Sequence, residues 1–336
     1  MGLNLAIAGV TGAVGQEFLR LIEQRNFKFD SLKMLASSRS AGKKIDFLGK
    51  QYTVEELTKD SFKGVDIALF SAGGGRSKEF AQAVVDSGAV MIDNSSAFRI
   101  DKDVPLVVPE VNPEAIKQHK GIIANPNCST IIAVVPVFPL HKAKTLKRMV
   151  VSTYQAASGA GVSAMMELEN QSRDVLAGKE VKPKAFPYQI AFNLFCHNSP
   201  LKENGYNEEE MKMLHETHKI FSCESIGITC TCVRVPVMRA HSESINLEFE
   251  QSITPDEVRE ILKDAPGVTL LDDFSNNRFP MPIDADGKDD VYVGHIRQDE
   301  SIPDNKGINI WICGDQIRKG AALNALQIAE TMIKNQ

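Results

Sequence analysis

The feature that most limits how this chain can fold is a glycine turn between a predicted buried strand and a helix near the N-terminus. Residues 3–8 (LNLAIA) form an apolar strand pattern, and residues 16–25 form an amphipathic helix pattern. The turn between them, residues 9–15, spaces its glycines as G-x-x-G-x-x-G. Strand, glycine turn and helix together favour binding of a dinucleotide, because glycines let the backbone approach a pyrophosphate at a helix N-terminus. The predicted cofactor-binding residues here are Gly9, Thr11, Gly12, Ala13, Val14 and Gly15.

The segment that follows the second predicted strand, residues 32–36, indicates which dinucleotide is bound. NAD-binding folds usually place Asp or Glu there to accept a hydrogen bond from the ribose hydroxyl. Residues 37–43 (SSRSAGK) carry hydroxyls and cations instead. This composition suits a 2′-phosphate, so we predict NADP, bound by Ser37, Ser38 and Arg39. A solvated polar loop is the alternative.

Short apolar strands continue along the first part of the chain, at residues 66–70, 89–92, 106–108 and 122–124. A helical segment, residues 76–87, separates the first two of these strands. The alternation predicts a mostly parallel, Rossmann-like α/β sheet with helices on both faces. Ligands bind beyond the C-terminal ends of such strands. We therefore expect the glycine turn, residues 37–39, Gly73, Gly74, Arg99 and Cys128 to follow strands along one edge.

From residue 128 onward the pattern changes to longer strands with few crossover helices. Strands are predicted at residues 147–154, 226–235, 244–249, 291–297 and 308–313, and helices at 162–176, 208–220, 255–263 and 321–333. The sequence thus predicts a first domain over residues 1–127 and an α+β second domain over residues 128–313.

Charge and cysteine content exclude several classes of partner. The net charge of −5 makes nucleic acid a poor partner, and the apolar runs are too short to cross a bilayer. The N-terminus has no leader-like segment. Six cysteines show no C-x-x-C pair or zinc spacing, which predicts free thiols in a reducing cytoplasm and no metal site.

One cysteine has a distinctive setting. Cys128 lies in residues 125–130 (NPNCST), between two apolar runs, where a new element begins after a strand. If that element is a helix, its free N–H groups and dipole favour thiolate over thiol. The alternative is a small buried cysteine in a turn.

With these segments placed, the chain resembles aspartate-semialdehyde dehydrogenases along essentially its whole length. The resemblance lies in six motifs in the same order: residues 9–15, residues 125–130, residues 155–161 (QAASGAG), Glu209-x-x-Lys212, residues 234–243 (RVPVMRAHSE) and residues 315–322 (DQIRKGAA).

The resemblance implies an NADP-dependent enzyme that interconverts L-aspartyl-4-phosphate and L-aspartate 4-semialdehyde, a step that feeds lysine, methionine and threonine synthesis. It also implies a cytoplasmic homo-oligomer, usually a homodimer formed through the second domain. The C-terminal helix, within residues 314–336, is expected to return to the cofactor domain.

The same resemblance assigns the catalytic residues. Cys128 attacks the acyl carbonyl and expels phosphate, and the resulting thioester accepts hydride. His241 takes the thiol proton and manages it during collapse. Gln155 orients the thiol or the substrate, and Asn127 donates to the oxyanion. Turn capping is the alternative role for Gln155 and Asn127.

Charged residues are assigned to the polar groups of the substrate. Arg234 binds the α-carboxylate, since a planar guanidinium suits bidentate binding. Arg99 and Lys212 bind phosphate, and Glu209 meets the ammonium group. An ordinary exposed helix pair is the alternative for Glu209 and Lys212. The resemblance adds Ser158, Gly159 and Gln316 to the cofactor-binding residues, with Gln316 standing where many relatives have Asn.

Three other functions remain open at this stage. A sister reductase, such as N-acetyl-glutamyl-phosphate reductase or glyceraldehyde-phosphate dehydrogenase, shares the cofactor fold and the thiol chemistry. A cysteine hydrolase would use Cys128 and His241 but leaves the glycine turn unexplained. A non-catalytic NADP-sensing protein would bind the cofactor and tolerate loss of Cys128.

Overall fold

The structure is a computed structural model that describes residues 2–334. This part of the chain divides into two compact units, residues 2–127 with 321–334, and residues 128–320. Within it, every helix is too short or too polar to traverse a lipid bilayer.

The first unit is built on a parallel sheet, which confirms the predicted sheet type; within the described residues it has six strands. Its strand order is β5-β2-β1-β6-β7-β8. The chain adds β2 on one side of β1 and later β6 on the other side, so the direction in which strands are added reverses at β1. In such sheets this reversal point is where ligands bind. The elements are β1 (Asn4–Ala8), α1 (Ala13–Gln24), β2 (Ser31–Ala36), β3 (Lys44–Phe47), β4 (Lys50–Thr53), β5 (Glu55–Glu56), β6 (Ile67–Phe70), α2 (Gly74–Asp86), β7 (Val90–Asp93) and β8 (Ile122–Ala124). The hairpin of β3 and β4 forms its own two-stranded sheet.

The predicted strand at residues 106–108 is wrong. Leu106 makes only an isolated bridge to Ala124. The side chain of Asn112 accepts from the N–H of Val108 at 2.9 Å and donates to the carbonyl of Leu106 at 2.9 Å. The segment meets β8 through one pair of backbone hydrogen bonds at Ala124, and Asn112 takes the neighbouring N–H and carbonyl, so the pairing does not extend into a strand.

Alternation along β1 explains why helices cover both faces of the sheet. Leu5 and Ile7 belong to one buried cluster, whereas Ala6 and Ala8 belong to another that includes residues of α2. The first cluster also takes in the C-terminal helix (Leu323–Lys334), and Arg25 at the end of α1 pairs with Glu330 at 2.8 Å. The C-terminal helix therefore completes the first unit.

The second unit is a mixed seven-stranded sheet with helices, which confirms the predicted α+β class. Its strand order is β10-β11-β9-β12-β15-β14-β13, with parallel pairs β9–β11 and β13–β14 and antiparallel pairs elsewhere. The elements are α3 (Cys128–Lys144), β9 (Leu146–Gln155), α4 (Val162–Leu176), β10 (Phe195–Cys196), α5 (Glu208–Phe221), β11 (Gly227–Arg234), β12 (His241–Phe249), α6 (Pro255–Leu262), β13 (Val268–Leu270), α7 (Pro282–Ala285), β14 (Val291–Gln298) and β15 (Gly307–Gly314); the C-terminal helix of the first unit is α8.

The register of the central strands places polar residues in rows on a buried face. Gln155 of β9 is opposite Arg234 of β11, and one row further Thr153 is opposite both Cys232 and Glu243. All five side chains are buried. Buried polar groups need specific hydrogen-bond partners, so these rows are a candidate location for a catalytic or binding site.

Candidate active site

Cys128 is the first residue of α3, so the helix that would favour its thiolate is present. Its sulfur lies 3.6 Å from Nε2 of His241, the first residue of β12. The Cys128 side chain is half-buried, whereas His241 is fully buried. A thiol and an imidazole, far apart in sequence, are thus in direct contact.

A backbone group determines which nitrogen of His241 carries the proton. The N–H of Ala156 donates to Nδ1 of His241 at 3.0 Å, so in the neutral ring the proton is on Nε2 and faces the sulfur. Burial, followed by the nearby charge of Arg234, holds the pKa of His241 well below its usual range. Because Nε2 already carries a proton, this geometry favours a hydrogen bond from His241 to the sulfur over the predicted transfer of the thiol proton to His241.

Arg234 is held next to this imidazole. Its Nη1 donates to the carbonyl of Ala156 at 3.3 Å, and its Nη2 donates to Nε2 of His197 at 2.8 Å. A Cβ added at Gly159 would lie 3.0 Å from both Arg234 Nη1 and a ring carbon of His241. Gly159 therefore leaves the space that both side chains occupy, and Ala156 anchors both of them.

The other predicted substrate residues of the second unit form a chain. Lys212 Nζ lies 2.9 Å from one carboxylate oxygen of Glu209, and the Gln155 amide donates to the other at 3.3 Å. The oxygen of Gln155 accepts from the hydroxyl of Thr153 at 3.2 Å. Glu209 is buried, so the pair of Glu209 and Lys212 differs from the ordinary exposed helix pair that was the alternative.

Gln316 is engaged at both ends of its amide. Its oxygen accepts from the N–H of Ala240 at 2.9 Å, and its nitrogen donates to the hydroxyl of Ser158. The side chain is 3% exposed. The structure shows Gln316 positioning Ser158, while contact of either residue with a nicotinamide stays a prediction.

The glycine turn in the first unit has the geometry of a phosphate cradle. Gly9 has a φ of +87°, and a Cβ there would lie 2.2 Å from the carbonyl oxygen of Ser71. A Cβ on Gly15 would lie 2.3 Å from the carbonyl oxygen of Gly9. Helix α1 starts after Gly12 without a side-chain cap. Backbone N–H groups at Ala13 and Val14 can therefore meet an anion such as a pyrophosphate.

Two further loops of this unit follow β2 and β6. Ser37 precedes a short 3₁₀ turn, Ser38–Ser40, in which Arg39 is exposed. Gly73 has a φ of +89° and precedes α2, whose first residue is Gly74 and whose N-terminus also lacks a side-chain cap. These loops offer a cation and open N–H groups after the strands, as a dinucleotide requires.

Arg99 is anchored in the first unit. Its Nε donates to the carbonyl of Asn125 at 2.9 Å, and its Nη2 donates to that of Asn94 at 2.9 Å. These carbonyls follow β8 and β7, so the guanidinium is fixed at strand ends. Asn127 is buried and is the last residue of this part of the first unit.

The structure thus gathers six predicted residues within the second unit. These are Cys128, Gln155, Glu209, Lys212, Arg234 and His241. Arg99, Asn127 and the dinucleotide-binding residues of the glycine turn belong to the first unit.

Sequence reasoning missed two residues of this site. His197 contacts Arg234 only because β10 pairs with β11, and no motif marks it. Glu243 belongs to the motif at residues 234–243, but no catalytic or binding role was predicted for it. It is fully buried, and neither carboxylate oxygen makes a hydrogen bond within residues 2–334. Burial raises its pKa well above the usual range.

Comparison with known proteins identifies close relatives. Residues 4–119 match the family model "Semialdehyde dehydrogenase, NAD binding domain", and residues 137–319 match "Semialdehyde dehydrogenase, dimerisation domain". The chain is 56% identical over 332 residues to an aspartate-semialdehyde dehydrogenase of Synechocystis sp., covering 99% of this chain and 98% of that protein.

Solved structures agree with this match. The structure of aspartate semialdehyde dehydrogenase II complexed with ASA from Vibrio cholerae has a TM-score of 0.96 and 44% identity, with 99% of both chains covered. A Candida albicans aspartate semialdehyde dehydrogenase with NADP has a TM-score of 0.77 and 26% identity, covering 99% of this chain and 98% of the other.

Proposed function

The chain belongs to the aspartate-semialdehyde dehydrogenase family, and on that premise we propose that it reduces L-aspartyl-4-phosphate to L-aspartate 4-semialdehyde and phosphate with NADPH. The observation that carries the proposal is the sulfur of Cys128 at a helix N-terminus, 3.6 Å from an imidazole. An acyl-transfer thiol placed in this way gives the substrate carbonyl a covalent resting point.

In the first step, the Cys128 sulfur bonds to the acyl carbon as the bond from that carbon to the phosphate oxygen breaks. The electron pair of the broken bond leaves with phosphate. The start of α3, the Nε2–H of His241 and the charge of Arg234 favour the attacking thiolate. Asn127 donates to the acyl oxygen as negative charge develops there.

In the second step, the thioester becomes an aldehyde. When bound, NADPH supplies a hydride to the acyl carbon. The Nε2–H of His241 stabilises the oxygen that gains negative charge, as an oxyanion donor does. That charge then returns to form the carbonyl, the carbon–sulfur bond breaks, and Cys128 leaves as thiolate. The electron balance requires no proton from the imidazole, which fits the neutral tautomer that Ala156 maintains.

The charged side chains of the site indicate which group of the substrate each of them binds. Arg234 has five N–H protons, of which two are used by Ala156 and His197, and its Nε makes no hydrogen bond within the described chain. The remaining protons can hold the α-carboxylate in bidentate fashion. Glu209, held by Gln155, receives the ammonium group, and Lys212 receives phosphate. For Arg99, in the first unit, the phosphate role rests on the family resemblance alone.

The cofactor-binding loops favour NADP over NAD. The glycine cradle and the uncapped start of α1 suit a pyrophosphate. Arg39 stands exposed in the loop where NAD-binding folds place an acidic residue, and residues 37–43 contain no carboxylate. The Candida albicans relative was solved with NADP. Ser158 and Gly159, with Gln316 behind Ser158, are proposed to lie against the nicotinamide.

Exposed apolar side chains support a homodimer formed through the second unit. Among the described residues, fifteen large hydrophobic side chains are exposed, and twelve of them fall within residues 137–319, which match the dimerisation domain. Interaction surfaces are contiguous apolar patches, and these twelve side chains supply the exposed apolar area from which such a patch could be built. All six cysteines are free thiols, which fits a reducing cytoplasm.

Turnover of L-aspartate 4-semialdehyde with phosphate and NADP⁺, followed by NADPH absorbance, tests the function. We expect Cys128→Ala to lose turnover while its affinity for NADP⁺ is kept. Cys223→Ala is the matched control, because Cys223 is a free thiol with the same intermediate exposure. Higher turnover of N-acetylglutamate or glyceraldehyde-phosphate substrates, or substantial activity in Cys128→Ala, would refute the proposal.

A further inference from the structure

His197 connects two parts of the site that the proposed chemistry does not otherwise link. It follows β10, and its backbone N–H donates to the carbonyl of Cys232 at 2.8 Å. This places the His197 ring beside Arg234, with Nε2 at 2.8 Å from Nη2 of the guanidinium. It is the shorter of the two hydrogen bonds that the Arg234 guanidinium makes within the described chain.

The chemistry of the two groups determines the protonation of His197. A guanidinium can only donate, so Nε2 of His197 must be the acceptor and the ring must be neutral or lose this bond. Burial, partly offset by Glu209 and reinforced by Arg234, lowers the pKa of His197 to about 4. The ring is therefore neutral at physiological pH and able to accept from Arg234.

The other side of the ring reaches the start of α5 through Ser199. In this neutral tautomer Nδ1 carries the proton and donates to the hydroxyl of Ser199 at 3.1 Å. That hydroxyl accepts from the backbone N–H of Glu209 at 3.1 Å and lies 3.2 Å from the side-chain oxygen of Asn207. Asn207 caps α5, whose first turns carry Glu209 and Lys212. A continuous hydrogen-bonded path thus joins Arg234 on β11 to the start of α5.

We propose that His197 is a positioning residue that holds the Arg234 guanidinium at a set distance from Glu209 and Lys212. The inference rests on the proposed function, in which these residues bind the carboxylate, ammonium and phosphate groups of one small amino-acid derivative. A long guanidinium side chain has many rotamers, and fixing it before the substrate arrives lowers the entropy cost of binding. His197 acts on affinity through Arg234 and makes no contact with the reacting atoms.

The test compares three variants at this position. His197→Met keeps a similar volume but offers Arg234 no comparable acceptor, His197→Ala removes the ring, and His197→Gln supplies an amide oxygen to Arg234 and an amide N–H to Ser199. We expect KM for aspartate semialdehyde to rise roughly 10- to 100-fold in His197→Met and His197→Ala, with kcat changed far less, and to recover in His197→Gln. The matched control is His215→Ala, an exposed histidine on α5.

A double-mutant cycle separates positioning from a general structural effect. If His197 acts through Arg234, His197→Met should add little to the KM of Arg234→Lys, because the guanidinium that it positions is already gone. Additive effects of the two substitutions would overturn the proposal, as would an unchanged KM or no recovery in His197→Gln. If one loss variant fails to fold, the other is compared with His197→Gln in the same way.

Failure of this inference is distinguishable from failure of the proposed function. If the unmodified protein does not turn over aspartate semialdehyde, the function itself is wrong. If it does, and its KM is indifferent to His197, only the positioning role is wrong. Affinity for NADP⁺ should stay unchanged in all three variants.

Discussion

Substitution of Gly320 by alanine should impair catalysis although it replaces no reacting residue. Gly320 lies in a π-helical turn, Arg318–Ala322, and a Cβ at this position would lie 2.8 Å from the Cβ of Cys128 and 3.2 Å from its Cα. Gly320 is not among the residues with positive φ, so alanine is permitted by the backbone. The effect is therefore one of contact alone.

The size of the effect follows from that contact. Ordinary van der Waals contact begins at 3.4 Å, so the gap must open by 3.4 − 2.8 = 0.6 Å. Since a misplacement of about 1 Å can cost about 100-fold in rate, we expect a loss on the order of tenfold in kcat. Crowding of this kind also costs about 1–3 kcal/mol in the free energy of unfolding, or roughly 1–4 °C in Tm for a chain of 336 residues.

Steady-state turnover of aspartate semialdehyde and the alkylation rate of Cys128 by iodoacetamide measure the effect. Gly227→Ala is the control, because a Cβ there would meet its nearest atom at 3.7 Å. The control should keep both rates. If Gly320→Ala has the same kcat and alkylation rate as Gly227→Ala, the reasoning that Gly320 sets the place of Cys128 is refuted.

Two further predictions concern charge. Glu243→Met should stabilise the protein at neutral pH by roughly 1–3 kcal/mol, since it removes a buried carboxyl without a hydrogen-bond partner in the described chain. The folded-state pKa of Glu243 is raised, so wild-type stability should fall as pH rises above the unfolded value of 4.5 until the folded pKa is passed. Urea unfolding at pH 5 and pH 8 should show a smaller decline in the variant, and an equal decline would contradict this. Arg39→Asp should weaken NADP⁺ binding roughly 10- to 100-fold and NAD⁺ binding much less, because only NADP⁺ carries the 2′-phosphate. Calorimetry measures both affinities, with the exposed Lys28→Asp as the control. Equal weakening of both cofactors would argue against a 2′-phosphate site at Arg39.

Local patterns predicted the elements that depend on local physics. The helix over residues 162–176 has the predicted bounds, and the helix predicted at residues 255–263 is present as α6, where Thr254 and Glu257 exchange hydrogen bonds at its start. The strand predicted at residues 106–108 is limited to one bridge with β8, because the side chain of Asn112, six residues from Leu106, takes the neighbouring backbone groups. No periodic pattern or local composition in the sequence signals those hydrogen bonds.

In the candidate site, too, sequence motifs predicted the residues but not the contacts between them. Motifs named Cys128, Arg234 and His241, but the tautomer of His241 depends on Ala156, and the orientation of Arg234 depends on His197. Both partners are brought into place by pairing between strands. A motif can name a residue type, whereas a hydrogen bond between distant residues requires the register of the sheet.

The amino-acid sequence by itself determined the class of fold and the glycine cradle, because spacing and periodicity of neighbouring residues are enough to specify them. The choice of Cys128 as the expected nucleophile came from the resemblance to a known family. Only the tertiary structure decided which nitrogen of His241 faces the sulfur, which side chain orients Arg234, and that Glu243 is buried without a partner in the described chain. The reason is physical: these properties belong to contacts between strands and helices far apart in the chain, where distance and burial, rather than residue order, set the protonation and orientation of a side chain.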